Sequence, residues 1–254
     1  MKNILIPVVI VLLIIYMIYK GRPSYYRIKG RNFYTTGDYE SAKRAFEKAL
    51  QSGMSNPEIY MEYSHILMMM GEFDDAERAL NNLLCNKVEN SLRGRAVIQR
   101  CLCYFNNNNF DEAYKDASEL YDDGYRSIDL YGFLGMLKLI NDPKSDETFD
   151  FCVEAYEYDD ENRDICDNMV LAYYNKGEYD RAKELSDELT EEYPQFVEGW
   201  YHAAQIDIAL NDYESALEKL DKIGECKRSA MTTVSDDEIN NLKDEIERLS
   251  EVKD

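Results

Sequence analysis

The sequence GDYESAKRAFEKAL, residues 37–50, opens on a glycine–x–aromatic turn and continues with the apolar spacing of an amphipathic helix. Its first six residues recur along the chain with few substitutions. The copies are GDYESA (37–42), GEFDDA (71–76), NNFDEA (108–113), GEYDRA (177–182) and NDYESA (211–216). Their last alanines stand 34, 37, 69 and 34 residues apart, and the longest interval divides into 35 and 34 at Thr148. The spacing predicts six copies of one helical unit, the fourth of them divergent.

The first residue of each motif predicts a turn between two helices. It is Gly37, Gly71, Asn108, Gly177 or Asn211. Glycine and asparagine are the residues that tolerate the left-handed backbone conformation found at helix C-termini. We therefore expect one helix to end and another to begin at each of these positions.

A helix–turn–helix unit of 34 residues is the signature of the tetratricopeptide repeat (TPR), and residues 23–224 resemble that family. The resemblance implies an all-α, right-handed TPR superhelix. It predicts repeats at 23–56, 57–93, 94–127, 128–162, 163–196 and 197–224. Two places depart from the family pattern. Repeat four has NDPKSDE (141–147) in its turn, and repeat six has Asp207 where an aromatic residue is usual.

The C-terminal region predicts a linker, residues 225–234, and a capping helix, residues 235–254. Ser235 and Glu238 have the spacing of a capping box, and four apolar residues form a stripe behind them. Solenoids need a terminal element with a polar outer face, which favours the role of a cap. A dimerising coiled coil is the alternative, although two heptads are too few to stand alone.

The N-terminal region predicts a membrane anchor with a basic flank, residues 1–22. ILIPVVIVLLIIYMIY (4–19) is sixteen residues without a charge, which favours one transmembrane helix. Five basic residues follow it: Lys20, Arg22, Arg27, Lys29 and Arg31. The positive-inside rule then places the repeats in the cytoplasm of a single-pass membrane protein. A buried core helix and a cleaved signal peptide are the alternatives, but no small-residue cleavage site follows the run.

Composition narrows the function classes. The net charge is −21, and residues 32–254 carry 23 basic against 50 acidic side chains. Such a surface argues against nucleic-acid binding, which needs clustered Lys and Arg. The six cysteines include no C-x-x-C pair, there are two histidines, and phosphate-binding and nucleophile motifs are missing. We therefore expect no enzymatic activity, no metal and no cofactor.

The family resemblance places the partner-binding groove on the first helix of each repeat. The groove positions are unusually apolar here. They are Met61, His65, Met68, Leu102, Phe105, Met136, Leu139, Leu171, Tyr174, Tyr201 and Ile208. Several of them are core residues if the register is misjudged. If they are exposed, a contiguous apolar patch marks a binding site for a protein or peptide.

Some TPR domains clamp a C-terminal carboxylate with basic and Asn side chains. The matching positions here are Arg27, Arg31, Glu62, Arg95 and Gln99. Glu62 and Gln99 depart from the clamp pattern, so the resemblance does not extend to this activity.

These features predict a membrane-tethered adaptor or scaffold that gathers a protein partner. Acidic residues near the groove, such as Glu58, Glu62, Asp164 and Asp167, favour partners with basic flanks. The alternatives are a targeting receptor for basic amphipathic segments and, if the topology is inverted, an extracytoplasmic structural repeat protein.

Overall fold

The computed structural model describes residues 2–52, 56–228 and 232–251, in which every regular element is an α-helix. Met1, residues 53–55 of the expected first repeat, 229–231 of the expected linker and 252–254 of the expected capping helix lie outside the described residues. Thirteen helices occur in the described part of the chain. They are α1 (Lys2–Thr35), α2 (Tyr39–Gln51), α3 (Glu58–Met69), α4 (Phe73–Leu84), α5 (Asn90–Asn106), α6 (Phe110–Asp122), α7 (Ile128–Asn141), α8 (Asp146–Tyr158), α9 (Arg163–Asn175), α10 (Tyr179–Glu192), α11 (Val197–Ala209), α12 (Tyr213–Ile223) and α13 (Asp236–Glu251).

The turns expected at Gly and Asn are confirmed. Gly37, Gly71 and Gly177 have φ between 75° and 76°, and Asn108 and Asn211 have φ of 60° and 64°. Each lies in the short connection between two helices. The left-handed residue lets the chain leave one helix and enter the next within a few residues. The divergent unit uses another device there, because the Ser145 side chain accepts a hydrogen bond from the Glu147 backbone N–H at the start of α8.

The two helices of each repeat pack closely at the last residue of the motif. The five motif alanines are fully buried, and Thr148 occupies the matching place in α8 with 4% exposure. The residue twelve positions earlier is small in most copies, as at Gly30 in α1. A Cβ at Gly30 would lie 2.8 Å from the Phe46 ring. Small residues at both places allow the helix backbones to approach each other.

The chain divides into two compact units, Met1–Asp116 and Ala117–Asp254, here called unit 1 and unit 2. In unit 1, one apolar cluster joins α2 and α3 around Phe46 and Ile66, and another joins α3, α4 and α5 around Leu67 and Leu80. In unit 2, clusters of the same kind join the helices from α7 to α13.

The departure at Asp207 is explained by a buried ionic network in unit 2. Its carboxylate is fully buried and accepts hydrogen bonds from Lys183 at 2.6 Å and Ser215 at 2.6 Å, with Lys219 Nζ at 2.8 Å. The three partners lie on α10 and α12. Burial by itself raises the pKa of Asp207, but the hydrogen bonds from Lys183, Lys219 and Ser215 outweigh it and lower that pKa. The aspartate thus ties α11 to both second helices beside it.

The expected transmembrane helix and single-pass membrane localisation are wrong. Within residues 2–52, 56–228 and 232–251, no helix has both the length and the apolar character needed to cross a membrane. The physical reason is the length of the charge-free run. Its sixteen residues give about 24 Å of helix, whereas the hydrocarbon core of a bilayer is about 30 Å thick. The charge-free run continues without a break into the charged segment that supplies the first helix of unit 1.

Helix α13 begins with the capping box expected from the sequence. The Glu238 backbone N–H donates to Ser235 Oγ at 3.2 Å, and the Ser235 backbone N–H donates to Glu238 Oε2 at 2.8 Å. Ile239, Leu242 and Ile246 are buried in the cluster that also holds residues of α11 and α12. The stripe therefore covers the apolar side of the last helix pair, as a cap does.

The left-handed turns predict a specific pattern of stability changes. Gly177→Ala should lower the free energy of unfolding by about 1 kcal/mol, because a Cβ is strained at positive φ. Gly177→Asn should cost less, since asparagine occupies the same turn at 108 and 211. Thermal unfolding measures both. Gly21→Ala is the matched control, because neither added Cβ meets an atom within 4 Å and only Gly177 has positive φ. Equal effects at the two glycines would contradict the assignment.

Removing the buried charge at Asp207 should lower the free energy of unfolding by much more than the Gly177 substitutions do. Asp207→Asn removes the buried carboxylate that Lys183 and Lys219 share and leaves them only the half-exposed Asp187, and we expect a loss of about 3 kcal/mol in urea unfolding at pH 7. The native contribution should disappear as the pH falls through about 4 toward the lowered pKa of Asp207, since a protonated carboxyl no longer attracts the lysines. Asp146→Asn is the control, because its ion pair with Lys176 has a carboxylate that is 97% exposed. A loss no larger than that of the control would contradict the role of the network.

Candidate functional site

In unit 1, the first helices of the successive repeats, α1, α3 and α5, lie side by side, and polar contacts connect them. Tyr34 Oη on α1 lies 3.1 Å from His65 Nε2 on α3, with the two rings edge to face. Arg95 on α5 lies 3.6 Å from Glu58 on α3. The surface that α1, α3 and α5 share is here called the unit 1 face.

Arginines neutralise the carboxylates of the unit 1 face. Glu62 accepts hydrogen bonds from Arg27 Nε at 2.9 Å and from Arg31 Nε at 3.0 Å. Burial by itself raises the pKa of Glu62, but these two guanidinium groups outweigh burial, and the net pKa is lowered. Both arginines are therefore engaged by Glu62, which agrees with the departure of this chain from the carboxylate-clamp pattern.

The first helices of unit 2 also form a row. Asn168 on α9 donates from Nδ2 to the Gly132 carbonyl on α7 at 2.7 Å. His202 Nδ1 on α11 lies 2.8 Å from Asp167 Oδ1 on α9. The half-buried residues Met136, Leu171, Tyr174, Tyr201 and Ile208 on α7, α9 and α11 are here called the unit 2 face.

The predicted groove residues fall into three classes of burial. Met61, Met68 and Leu139 are 6–8% exposed and pack inside apolar clusters, so they offer little area to a partner. His65 is exposed. The other seven are half-buried; they are Leu102 and Phe105 in unit 1, and Met136, Leu171, Tyr174, Tyr201 and Ile208 in unit 2.

Two tyrosines of the unit 2 face lie close to helix α13. Tyr201 packs against the cluster that contains Ile239 and Leu242. Burial raises the pKa of Tyr201, and Glu238, Glu245 and Tyr174 raise it further. Burial also raises the pKa of Tyr174, with added contributions from Tyr179 and Glu245. Carboxylates of α13 therefore contribute to the raised pKa of both tyrosines.

The Asp167–His202 pair is the feature that the sequence interpretation missed. Nothing near His202 in the sequence indicates a partner. Burial lowers the pKa of His202, but Asp167 outweighs it and the net pKa is raised. The repeat length could have predicted this pair, because residues about one repeat apart, here 35 positions, occupy adjacent places on the first helices of successive repeats.

Comparisons with known proteins agree with the repeat architecture. Family models described as tetratricopeptide repeat match residues 34–101 and residues 168–229, which together make up just over half of the chain. No curated protein matches the sequence.

Solved structures resemble this fold at low sequence identity. A tetratricopeptide repeat protein from Parabacteroides merdae is 15% identical, with a TM-score of 0.68, over 90% of this chain and 87% of its own. PilF of Pseudomonas aeruginosa is 14% identical, with a TM-score of 0.67, over 91% and 99%. YrrB, described as a TPR protein with an unusual peptide-binding site, is 19% identical, with a TM-score of 0.53, over 81% and 99%. At these identities the likeness shows the fold alone.

The two histidines should titrate on opposite sides of the ordinary value of about 6.5. The pKa of His202 should be higher because Asp167 stabilises its protonated form. The pKa of His65 should be lower because its ring, although exposed in part, is partly desolvated by its neighbours, which disfavours the charge. The Asp167–His202 pair then adds stability below about pH 6.5 and loses it as the pH rises through the raised pKa of His202.

Imidazole NMR resonances measure this directly, since His65 and His202 are the only histidines. Asp167→Asn should lower the pKa of His202 and leave that of His65 unchanged. A higher pKa for His65 than for His202 would refute the assignment.

Proposed function

The chain belongs to the tetratricopeptide repeat family, and from that premise we propose that it is a protein-interaction adaptor that binds a partner segment on the first helices of its repeats. TPR proteins generally mediate protein–protein interactions and bind peptides. Their fold is a non-catalytic scaffold, and our proposal assigns no reaction to this chain.

The unit 2 face is the observation that carries this proposal. Its five apolar residues are half-buried, whereas neighbours such as Leu139 and Met169 are buried in the core. Aromatic and aliphatic side chains that are partly accessible on neighbouring helices suit a peptide laid across them. Tyrosine also contributes a large contact area at low cost in side-chain entropy.

Phe105 offers a smaller surface of the same kind in unit 1. Its ring lies 5.1 Å from that of Phe110, with an edge-to-face geometry. Leu102 lies three residues earlier on α5 and is also half-buried. We propose Leu102 and Phe105 as a separate contact surface within unit 1, while the buried Met61 and Met68 belong to its core.

Substitution of the accessible aromatic residues should weaken partner binding. Tyr174→Ala and Phe105→Ala should each cost about 1–3 kcal/mol of binding free energy, because truncation removes an aromatic contact from the interface. Crosslinking pull-down in cells compares the proteins recovered by each variant with those recovered by the unaltered chain.

Leu217→Ala is the control, because Leu217 is an exposed apolar residue on the second helix α12. Thermal unfolding of each variant separates lost binding from lost folding. If both aromatic variants fold and recover the same proteins as the control, the first-helix faces are not the binding site.

A further inference from the structure

We propose that helix α13 supplies an acidic wall to the unit 2 face, and that this part of the protein selects a basic amphipathic segment of its partner. The inference rests on the proposed function and names the chemistry of the partner. Glu238 and Glu245 form the wall, and Tyr174 and Tyr201 form the apolar floor beside it.

The acidic charge of the chain is concentrated in unit 2. Residues 1–116 carry 15 basic and 13 acidic side chains, whereas residues 117–254 carry 14 basic and 37 acidic ones. The net charges of the two units are therefore +2 and −23. A cationic segment is attracted to unit 2 much more strongly than to unit 1.

Ion pairing of the carboxylates also differs between the unit 1 face and helix α13 of unit 2. On the unit 1 face, Glu62 and Glu58 already have arginine partners on neighbouring helices. On helix α13, neither Glu238 nor Glu245 forms an ion pair with another described residue. A carboxylate without a cationic partner of its own is free to pair with a charge that a ligand brings.

The carboxylates of α13 lie beside apolar contact area. Tyr201 packs in the same cluster as Leu242 of α13. Glu238 lies four residues before Leu242 and Glu245 three residues after it, so both carboxylates are on the side of α13 that faces this cluster. The charge of Glu245 also raises the pKa of Tyr201 and of Tyr174. Tyr174 also raises the pKa of Tyr201. A ligand that reaches both rings therefore passes close to Glu245, so one segment meets apolar and acidic groups at once.

More carboxylates gather at the start of α9 and α11. Burial raises the pKa of Asp164, and the nearby charges of Asp167 and Glu198 raise it further despite Arg163. Asp167 is paired with His202, and Glu198 accepts a hydrogen bond from the Thr233 backbone N–H at 2.7 Å. Asp164 already pairs with Arg163 at 3.2 Å and Asp167 with His202, so Glu198 is the carboxylate of this group that has no ion pair with another described residue and gives a basic segment a second point of attachment.

The occupant that fits both features has aliphatic residues on one face and Lys or Arg on its borders. Aliphatic side chains cover Tyr174, Tyr201 and Ile208, and the basic groups pair with the carboxylates around them. An uncharged amphipathic segment gains only the first contact. An acidic one is repelled by the net charge of the unit.

Three synthetic 18-residue helical peptides test the charge preference. They share one leucine face and carry Lys, Gln or Glu at every polar position. Fluorescence anisotropy with the full chain should give the tightest binding for the Lys peptide, weaker binding for the Gln peptide and none for the Glu peptide. Equal binding of the Lys and Gln peptides would overturn the proposed selection by charge.

A matched pair of variants tests the wall itself. Glu245→Gln should raise the dissociation constant of the Lys peptide by about two- to fivefold at low salt, as expected for an exposed ion pair. Glu247→Gln removes the same charge from the same helix, but Glu247 is not among the groups that act on either tyrosine, so it should have little effect. The difference between the variants should shrink in 0.5 M salt.

The outcomes separate this inference from the proposed function. If the two variants weaken binding equally, the attraction comes from the diffuse charge of unit 2 and the α13 wall is overturned. If only Tyr174→Ala weakens the Lys peptide, the apolar face binds without the wall and the proposed function stands. If no peptide binds while Tyr174→Ala and Phe105→Ala still reduce pull-down recovery, the partner is not a basic amphipathic segment. If they leave recovery intact as well, both proposals fail.

Discussion

The close approach of two helices at one fully buried alanine is the constraint on which the rest of this structure depends. Ala42, Ala76, Ala182 and Ala216 have no exposed surface. A larger side chain there would push the helices of its unit apart, because packed interiors leave no room for added atoms. The small residue on the facing helix serves the same purpose, as Gly30 does beneath the Phe46 ring.

Once the helix pairs of the repeats are packed in this way, the repeat length determines which residues of neighbouring repeats meet. Arg27 with Glu62 and Asp167 with His202 are each separated by 35 positions along the chain. The backbone fixes these meetings, while the side chains decide their chemistry. Arginines pair with Glu58 and Glu62 on the unit 1 face. Beside the unit 2 face, Glu238 and Glu245 form no ion pair with another described residue, and this contrast is the basis of the ligand preference that we propose.

Charged groups inside the repeats show how a departure from a pattern is accommodated. Asp207 stands where an apolar aromatic residue is usual, yet it is fully buried. Two lysines and Ser215 satisfy its oxygens, so the desolvation cost is offset by short, charge-assisted hydrogen bonds. The two lysines lie on different second helices, and no motif in the sequence shows that they converge.

The sequence by itself determined the all-α repeat fold, the left-handed turns and the capping box of α13, because these depend on residues close together in the chain. It also selected the half-buried residues Tyr174 and Tyr201, since position in a repeat fixes the helix face. Burial within that face was decided by the tertiary structure, which places Met61 and Leu139 in the core. The membrane prediction failed because the charge-free run of sixteen residues, about 24 Å of helix, is shorter than a hydrocarbon core of about 30 Å. The ionic partners of Asp207 and His202, and the packing of Tyr201 against the α13 stripe, were decided only by the tertiary structure, because they join side chains of different helices whose contacts depend on how those helices pack.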